Sequence, residues 1–224
     1  MSEKTTYLKE FKKYKVAYLP IGTIEWHGNH LPIETDFLVA LKICEAVAQK
    51  IPGYVLPPFY LGTDKSQKIK GEELRGMDRY LGKKLPGSLY YLTPDILYRT
   101  IKSLVENLIS QGFERIVIVT GHAGSKQVET IQKIKNMYKP VIFINPFSQN
   151  ISKKANTSEH AGSEEISLFW ACYPKEIQKS LNMKIPKNDD YFEYAGLDPR
   201  KKASLRLGQK ILNEIVNKII QNLK

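Results

Sequence analysis

Apolar residues along this chain fall into two kinds of block. Short and almost continuously apolar runs, Lys15-Val-Ala-Tyr-Leu-Pro20, Tyr54-Val-Leu56, Arg115-Ile-Val-Ile-Val-Thr120 and Val141-Ile-Phe-Ile-Asn145, read as buried strands. Between them apolar residues recur three and four apart. Phe37, Leu41, Cys44, Val47 and Ala48 predict a helix from Phe37 to about Ile51. Leu97, Ile101, Leu104, Val105 and Leu108 predict another, which Thr93-Pro94 starts and Gly112 ends. Further helices are expected over about 126–138, about 162–172 and about 203–223, the last carrying Leu207, Ile211, Ile215, Ile219 and Ile220. Pro57-Pro58 stops the second strand. The segment from there to about Pro86 is polar and irregular in pattern, Ser88 to Leu92 reads as extended, and 175–200 reads as irregular. Strands alternating with helices predict an α/β fold with a mostly parallel sheet covered by helices on both sides. Such sheets bind ligands at the carboxyl ends of their strands. No linker divides the chain, so residues 1–224 are expected to form one domain.

Composition narrows the class without naming an activity. A chain of 224 residues is long enough to bury a full core, and 42% hydrophobic with 25% charged residues excludes collagen-like, mucin-like and disordered classes. No apolar run approaches the roughly 20 residues of a membrane helix. The first residues show no apolar leader, so a cytoplasmic location is expected. Cys44 and Cys172 lie far apart in apolar surroundings and read as two buried thiols of a reducing compartment. The net charge of +11 admits nucleic acid or an anionic substrate as partner. Yet 28 of the 34 basic residues are lysines, many on the polar faces of predicted helices, and arginine is scarce. A solvated lysine surface is the better reading, because arginine supplies the fork that reads base edges and phosphates.

The candidate chemistry is concentrated. All four histidines, His27, His30, His122 and His160, fall in predicted loops just after strands. Glu25 and His27 are two apart in Gly22-Thr-Ile-Glu-Trp-His-Gly-Asn-His30, so in extended backbone they point to one side. Asp36 follows a turn and opens a helix, where it is a candidate ligand or merely an N-cap. His122 follows the central strand in Thr120-Gly-His-Ala-Gly124, where glycine lets backbone approach a ligand closely. Glu25, His27, Asp36 and His122 together suit Zn²⁺, Mn²⁺ or Fe²⁺. A carboxylate shared between two ions suits a hydrolase, since such a centre supplies hydroxide at neutral pH and polarises a carbonyl. In Glu159-His-Ala-Gly-Ser-Glu164-Glu165, both Glu164 and Glu165 fall in the first turn of a helix, where its dipole favours them in any case. His160 just ahead makes Glu165 the better candidate for a metal, with His160 delivered to a reacting atom.

These motifs resemble the creatininase family of metal-dependent amidohydrolases. The resemblance rests on Leu19-Pro-Ile-Gly-Thr-Ile-Glu-Trp-His-Gly-Asn-His-Leu-Pro with Asp36 following, on Pro86-Gly-Ser88, on Gly121-His-Ala-Gly124 and on His160-Ala-Gly-Ser-Glu-Glu-Ile-Ser167. It implies a three-layer α/β/α sandwich, two divalent metal ions per chain, hydrolysis of a non-peptide C–N bond in a small molecule, and a homo-oligomer, often a hexamer. It also implies that Glu25 and His122 hold one ion and His27 the other, that Asp36 bridges them, and that His160 is the proton shuttle. Creatinine-hydrolysing members carry a metal-binding Glu, a Tyr and a Trp where this chain has Gly124, Ala123 and Asn156. Creatinine itself is therefore not the expected substrate, and Glu165 is the candidate replacement ligand. His30 is expected to be structural and Trp26 to pack behind the site.

The segment from Lys65 to Lys84 carries seven basic residues against two Glu and one Asp. Ser66, in a Lys-Ser-Gln sequence similar to one in the family, is a candidate substrate contact. Arg75 and Arg79 are candidates for binding a phosphate or carboxylate on the substrate. That fits the archaeal branch of the family, which deformylates a formamidopyrimidine ribonucleotide in flavin and deazaflavin biosynthesis. The alternatives are a peptidase maturing a small modified peptide and, from another class, a basic nucleic-acid-binding protein on a decayed hydrolase fold.

Overall fold

The structure is a computed structural model that describes residues 12–89, 91–148, 160–175 and 198–224. Among these residues the main sheet has four parallel strands in the order β2-β1-β5-β6: β1 (Val16–Ile21), β2 (Tyr54–Val55), β5 (Arg115–Thr120) and β6 (Val141–Ile144). A two-stranded antiparallel ribbon, β3 (Ser66–Ile69) with β4 (Glu72–Arg75), stands apart from it. Among the described residues the helices are α1 (Thr35–Ala48), α2 (Gly76–Leu81), α3 (Pro94–Ser110), α4 (Ser125–Met137), α5 (Ser163–Cys172), α6 (Pro199–Lys202) and α7 (Leu205–Leu223).

Successive side chains of a strand point to opposite faces, and both faces here are apolar. Val16 and Tyr18 of β1, with Val117 and Val119 of β5, pack against α1, α5 and α7. Ala17, Leu19 and Ile21, with Ile116 and Ile118, pack against α3 and α4. The molecule is thus the α/β sandwich with a mostly parallel sheet that the periodicity predicts. Thr93 caps α3, its hydroxyl accepting the Ile96 N–H, with Pro94 at the first helical position. Gly112, at φ +92°, stands just beyond that helix's end, where a side chain would be strained.

Two regions depart from the sequence reading. The polar stretch after Pro57-Pro58 is not irregular throughout: it contains β3, β4 and α2, whose side chains are mostly exposed and so carry no core-facing period. The described residues of 88–92 form no strand of their own; Tyr91 makes a single parallel bridge to Gly62. The proposed irregular stretch 175–200 and the Asn156 position lie almost wholly outside the described residues.

The topology decides where a ligand can sit. From β1 the chain crosses outward through α1 to β2, and from β5 it crosses in the other direction through α4 to β6. The crevice beyond the carboxyl ends of β1 and β5 is therefore the switch point of the sheet. The two strands run in register to their ends, with Ile21 beside Thr120. A glycine follows each. A Cβ built at Gly121 would lie 1.9 Å from the Asp36 carbonyl oxygen, and one at Gly22 would lie 2.3 Å from the Phe37 nitrogen. Only residues without side chains let the start of α1 press into the cleft between the strand ends.

Candidate metal centre

Three segments converge on this crevice: the loop after β1 with Glu25 and His27, the loop after β5 with His122, and the start of α1 with Asp36. The loop entering α5 adds His160 and Glu165. Asp36 does not cap α1, whose N-cap is Glu34 without a side-chain cap bond. It lies in the first turn, 2% exposed, with one carboxylate oxygen toward each of two histidines. Asp36 Oδ1 is 3.2 Å from His27 Nε2, and Asp36 Oδ2 is 3.2 Å from His122 Nδ1. Glu25 Oε1 is 2.7 Å from His122 Nδ1, and Glu165 Oε1 is 3.7 Å from His27 Nε2. Two triads of potential ligands result, Glu25–Asp36–His122 and His27–Asp36–Glu165, and Asp36 belongs to both. A third set, Glu25–His27–His160, overlaps them.

The surrounding contacts aim these atoms. His27 Nδ1 lies 3.0 Å from the Glu25 backbone carbonyl; donating its proton there leaves Nε2 facing Asp36 and Glu165. Tyr91 donates its hydroxyl to Glu25 Oε2, leaving Oε1 for His122. The Ala161 N–H donates to Glu165 Oε2, from a residue held at φ +52°, which leaves Oε1 facing His27. His160 Nε2 bonds the Trp26 carbonyl, so its Nδ1 faces the cluster, 3.9 Å from Glu25 Oε1. His30 belongs to none of the three groups; its Nε2 bonds the Ala161 carbonyl at 2.8 Å, and burial lowers its pKa. Trp26 packs with Met77 and Leu85 behind the ligand loop. The Trp26 backbone N–H donates to Ser88 Oγ at 3.3 Å, and Ser88 bonds Asp78 of α2.

The electrostatics suit a cation. Three carboxylates are buried together, which is unfavourable without compensating positive charge. Burial alone would lower His27 and His122, yet both stand well above the ordinary imidazole range: Glu165 and Asp36 hold a proton on His27, and Glu25 and Asp36 hold one on His122. Conversely, burial would raise Asp36 and Glu25, but His27 and His122 keep Asp36 ionised, and His122 keeps Glu25 so. His27 Nε2 and Asp36 Oδ2 are nevertheless buried without a well-formed hydrogen bond. Nitrogen and oxygen donors at these separations, with the second atoms of His27, Glu25 and Glu165 already tied, would fit one divalent ion in each triad and a carboxylate between them.

A cavity of about 470 Å³ opens over the triads and is lined by Glu25, Asp36, His122, His160 and Glu165 together with Asp64, Arg79 and Tyr80. A second, of about 410 Å³, shares Asp64, Lys65 and Arg79 with the first. Ser66 and Arg75 line this second cavity and not the first. Arg75 is paired with Glu73 at 2.6 Å, whereas Arg79 Nε is buried without a partner. Sequence reasoning passes over Tyr91, which has no motif around it and meets Glu25 only through a contact 66 residues apart. It likewise passes over Asp64, which reads as one more polar loop residue.

Residues 3–223 match the family described as "Creatininase: Creatinine amidohydrolase". A stretch of 107 residues, 48% of the chain, is 30% identical to the creatinine amidohydrolase of Pseudomonas putida, and spans only 37% of that protein. Over 247 aligned positions, covering 95% of this chain and 85% of the relative, it is 25% identical to a 2-amino-5-formylamino-6-ribosylaminopyrimidin-4(3H)-one 5'-monophosphate deformylase of Methanothermus fervidus. A crystal structure of creatinine amidohydrolase superposes with a TM-score of 0.68 at 25% identity, covering 96% of this chain and 93% of the other.

Proposed function

Because the chain belongs to the creatininase family, we propose that it is a two-metal amidohydrolase that cleaves a non-peptide C–N bond, and that its substrate is a formamide on a small phosphorylated molecule. The observation that carries the reading is the pair of ligand triads sharing Asp36 at the sheet's switch point, with His160 beside them. Glu25, Asp36 and His122 would hold one ion, and His27, Asp36 and Glu165 the other. Divalent ions bound here supply an activated water at neutral pH and positive charge for a developing oxyanion. The residues do the rest. Tyr91 and Ala161 keep Glu25 and Glu165 aimed, and His27 is oriented by the Glu25 carbonyl. His160, fixed by the Trp26 carbonyl, holds Nδ1 where it can receive a proton from the attacking water and return it to the departing nitrogen. Water adds to the formyl carbon, the C–N bond breaks, and formate and an amine leave.

Two observations favour the formamide over creatinine. Two relatives aligned over 95% of the chain are named as deformylases of a formylamino-pyrimidine monophosphate. The second cavity brings Lys65 and Arg79 together beyond the first, beside Arg75 and Lys126, which pair with Glu73 and Glu129, at a place suited to a phosphate. The test is formate release from a formamidopyrimidine ribonucleotide by metal-loaded protein, beside the same compound without its phosphate and beside creatinine. The ribonucleotide should be hydrolysed and creatinine left intact. Arg79→Gln should raise KM for the phosphorylated compound by about 10-fold or more, as the loss of a charge-assisted hydrogen bond of about 1.5–3 kcal/mol predicts, and should change the neutral one far less. Equal effects on both, or hydrolysis of creatinine alone, would overturn the substrate assignment.

A further inference from the structure

His122 offers two ring nitrogens, and the candidate centre uses one. Nδ1 faces Glu25 and Asp36 at 2.7 Å and 3.2 Å. Nε2 lies on the other side of the ring, buried and without a hydrogen-bond partner, in a residue 5% exposed. Once Nδ1 is given to a cation, the neutral ring carries its proton on Nε2. A buried N–H then needs an acceptor, since an unpaired one costs about 1–3 kcal/mol.

The surroundings of Gly124 supply a candidate. A Cβ built there would lie 2.3 Å from His122 Nε2 and 2.8 Å from Asp64 Cγ. The imidazole and the Asp64 carboxylate thus close on one notch, too narrow for even a methyl group, which exists because residue 124 has no side chain. Asp64 Oδ1 accepts the Lys65 N–H at 2.7 Å, which fixes the carboxylate at the mouth of this notch. Asp64 belongs to none of the ligand groups found among the described residues.

We propose that Asp64 is a positioning residue of the metal centre, accepting the His122 Nε2 proton across the Gly124 notch and so completing a carboxylate–histidine–metal chain. This rests on the reading of Glu25, Asp36 and His122 as an ion site. It gives Gly124 a role of its own: a larger residue would fill the space through which Asp64 reaches the imidazole. Outer partners of this kind fix the orientation of the ring and raise its basicity, and their loss costs about 10–100-fold in metal affinity.

The test is titration of chelator-treated, full-length protein with cobalt(II), followed by its visible absorption, for wild type, Asp64→Ala, Asp64→Asn and Gly124→Ala. Asp64→Ala should weaken one of two cobalt ions by about 10–100-fold and leave the other unchanged. Asp64→Asn retains an oxygen for the Lys65 N–H and should show a smaller loss at the same ion, with the metal-free melting temperature of wild type. Gly124→Ala, whose methyl would press on both the His122 ring and Asp64, should weaken the same ion at least as much as Asp64→Ala does. Wild-type affinity for both ions in both Asp64 variants would overturn the proposal. So would equal weakening of both ions together with a lowered metal-free melting temperature, which would make Asp64 a scaffold of its loop. Wild-type protein that takes up no cobalt would instead remove the metal centre itself, and this inference with it.

Discussion

Replacement of Asp36 by Asn tests the centre most directly, because this carboxylate alone belongs to both triads and the change keeps its size. Each Asp36 oxygen faces a histidine nitrogen at 3.2 Å. At an effective dielectric constant of about 20, one such charge pair is worth about 5 kcal/mol, so the two together approach about 10 kcal/mol. Burying the carboxylate opposes this by several kcal/mol. Glu25 and Glu165 remain as partners for His122 and His27. The net loss in metal-free protein should therefore fall near the value for breaking a buried pair, about 3–5 kcal/mol. In a chain of this size each kcal/mol corresponds to about 2–4 °C in melting temperature, giving a drop of roughly 6–20 °C. Metal content supplies the second readout. Wild-type protein reconstituted with zinc or manganese should hold about two ions per chain by mass spectrometry, as two triads require, and Asp36→Asn none or one weakly bound. A variant that keeps two ions at wild-type affinity would refute the shared-carboxylate reading, whatever its stability.

His160 and the pH dependence extend the test. His160→Ala should retain both ions while lowering kcat by about 10²–10⁴-fold, the range for losing a general acid–base group; loss of an ion with it would make His160 a ligand within the Glu25–His27–His160 set. His27 and His122 have pKa values raised on folding, so in metal-free protein their contribution is complete below the unfolded value of about 6.5 and is lost as pH rises through their folded values. Glu25 and Asp36 are depressed, so theirs is present above about pH 4 and is lost as pH falls through their folded values. Because an ion must displace the histidine protons, it should raise the melting temperature more at about pH 9 than at about pH 6. A gain independent of pH, measured by scanning calorimetry with and without chelator, would contradict the assignment of these protons.

The family match favours the hydrolase over the nucleic-acid-binding alternative. The surface agrees with the reading of the lysines, several of which sit on exposed helix faces and are answered locally, as in Lys102–Glu106 and Lys126–Glu129. No helix among the described residues is long and apolar enough to cross a membrane.

The sequence by itself determined what local chemistry can encode. β5 occupies the same residues that its apolar run predicts, and α3 starts at Thr93-Pro94 because that dipeptide both caps and bends the chain into a helix. The candidate ligands were legible because they follow strands beside glycines, where a parallel sheet must present its loops. What the tertiary structure decided is how those residues are shared out. Asp36 keeps a helix cap as its alternative reading until the Ile21–Thr120 register sets the ends of β1 and β5 side by side and Gly22 and Gly121 admit α1 between them. Only then does its carboxylate stand between His27 and His122. The β3–β4 ribbon was hidden because exposed strands carry no apolar period. Tyr91 and Asp64 were hidden for a deeper reason. The first meets Glu25 and the second faces His122 from positions distant in sequence, and periodicity along a chain records which face a residue turns to the core, not which distant residue it will meet there.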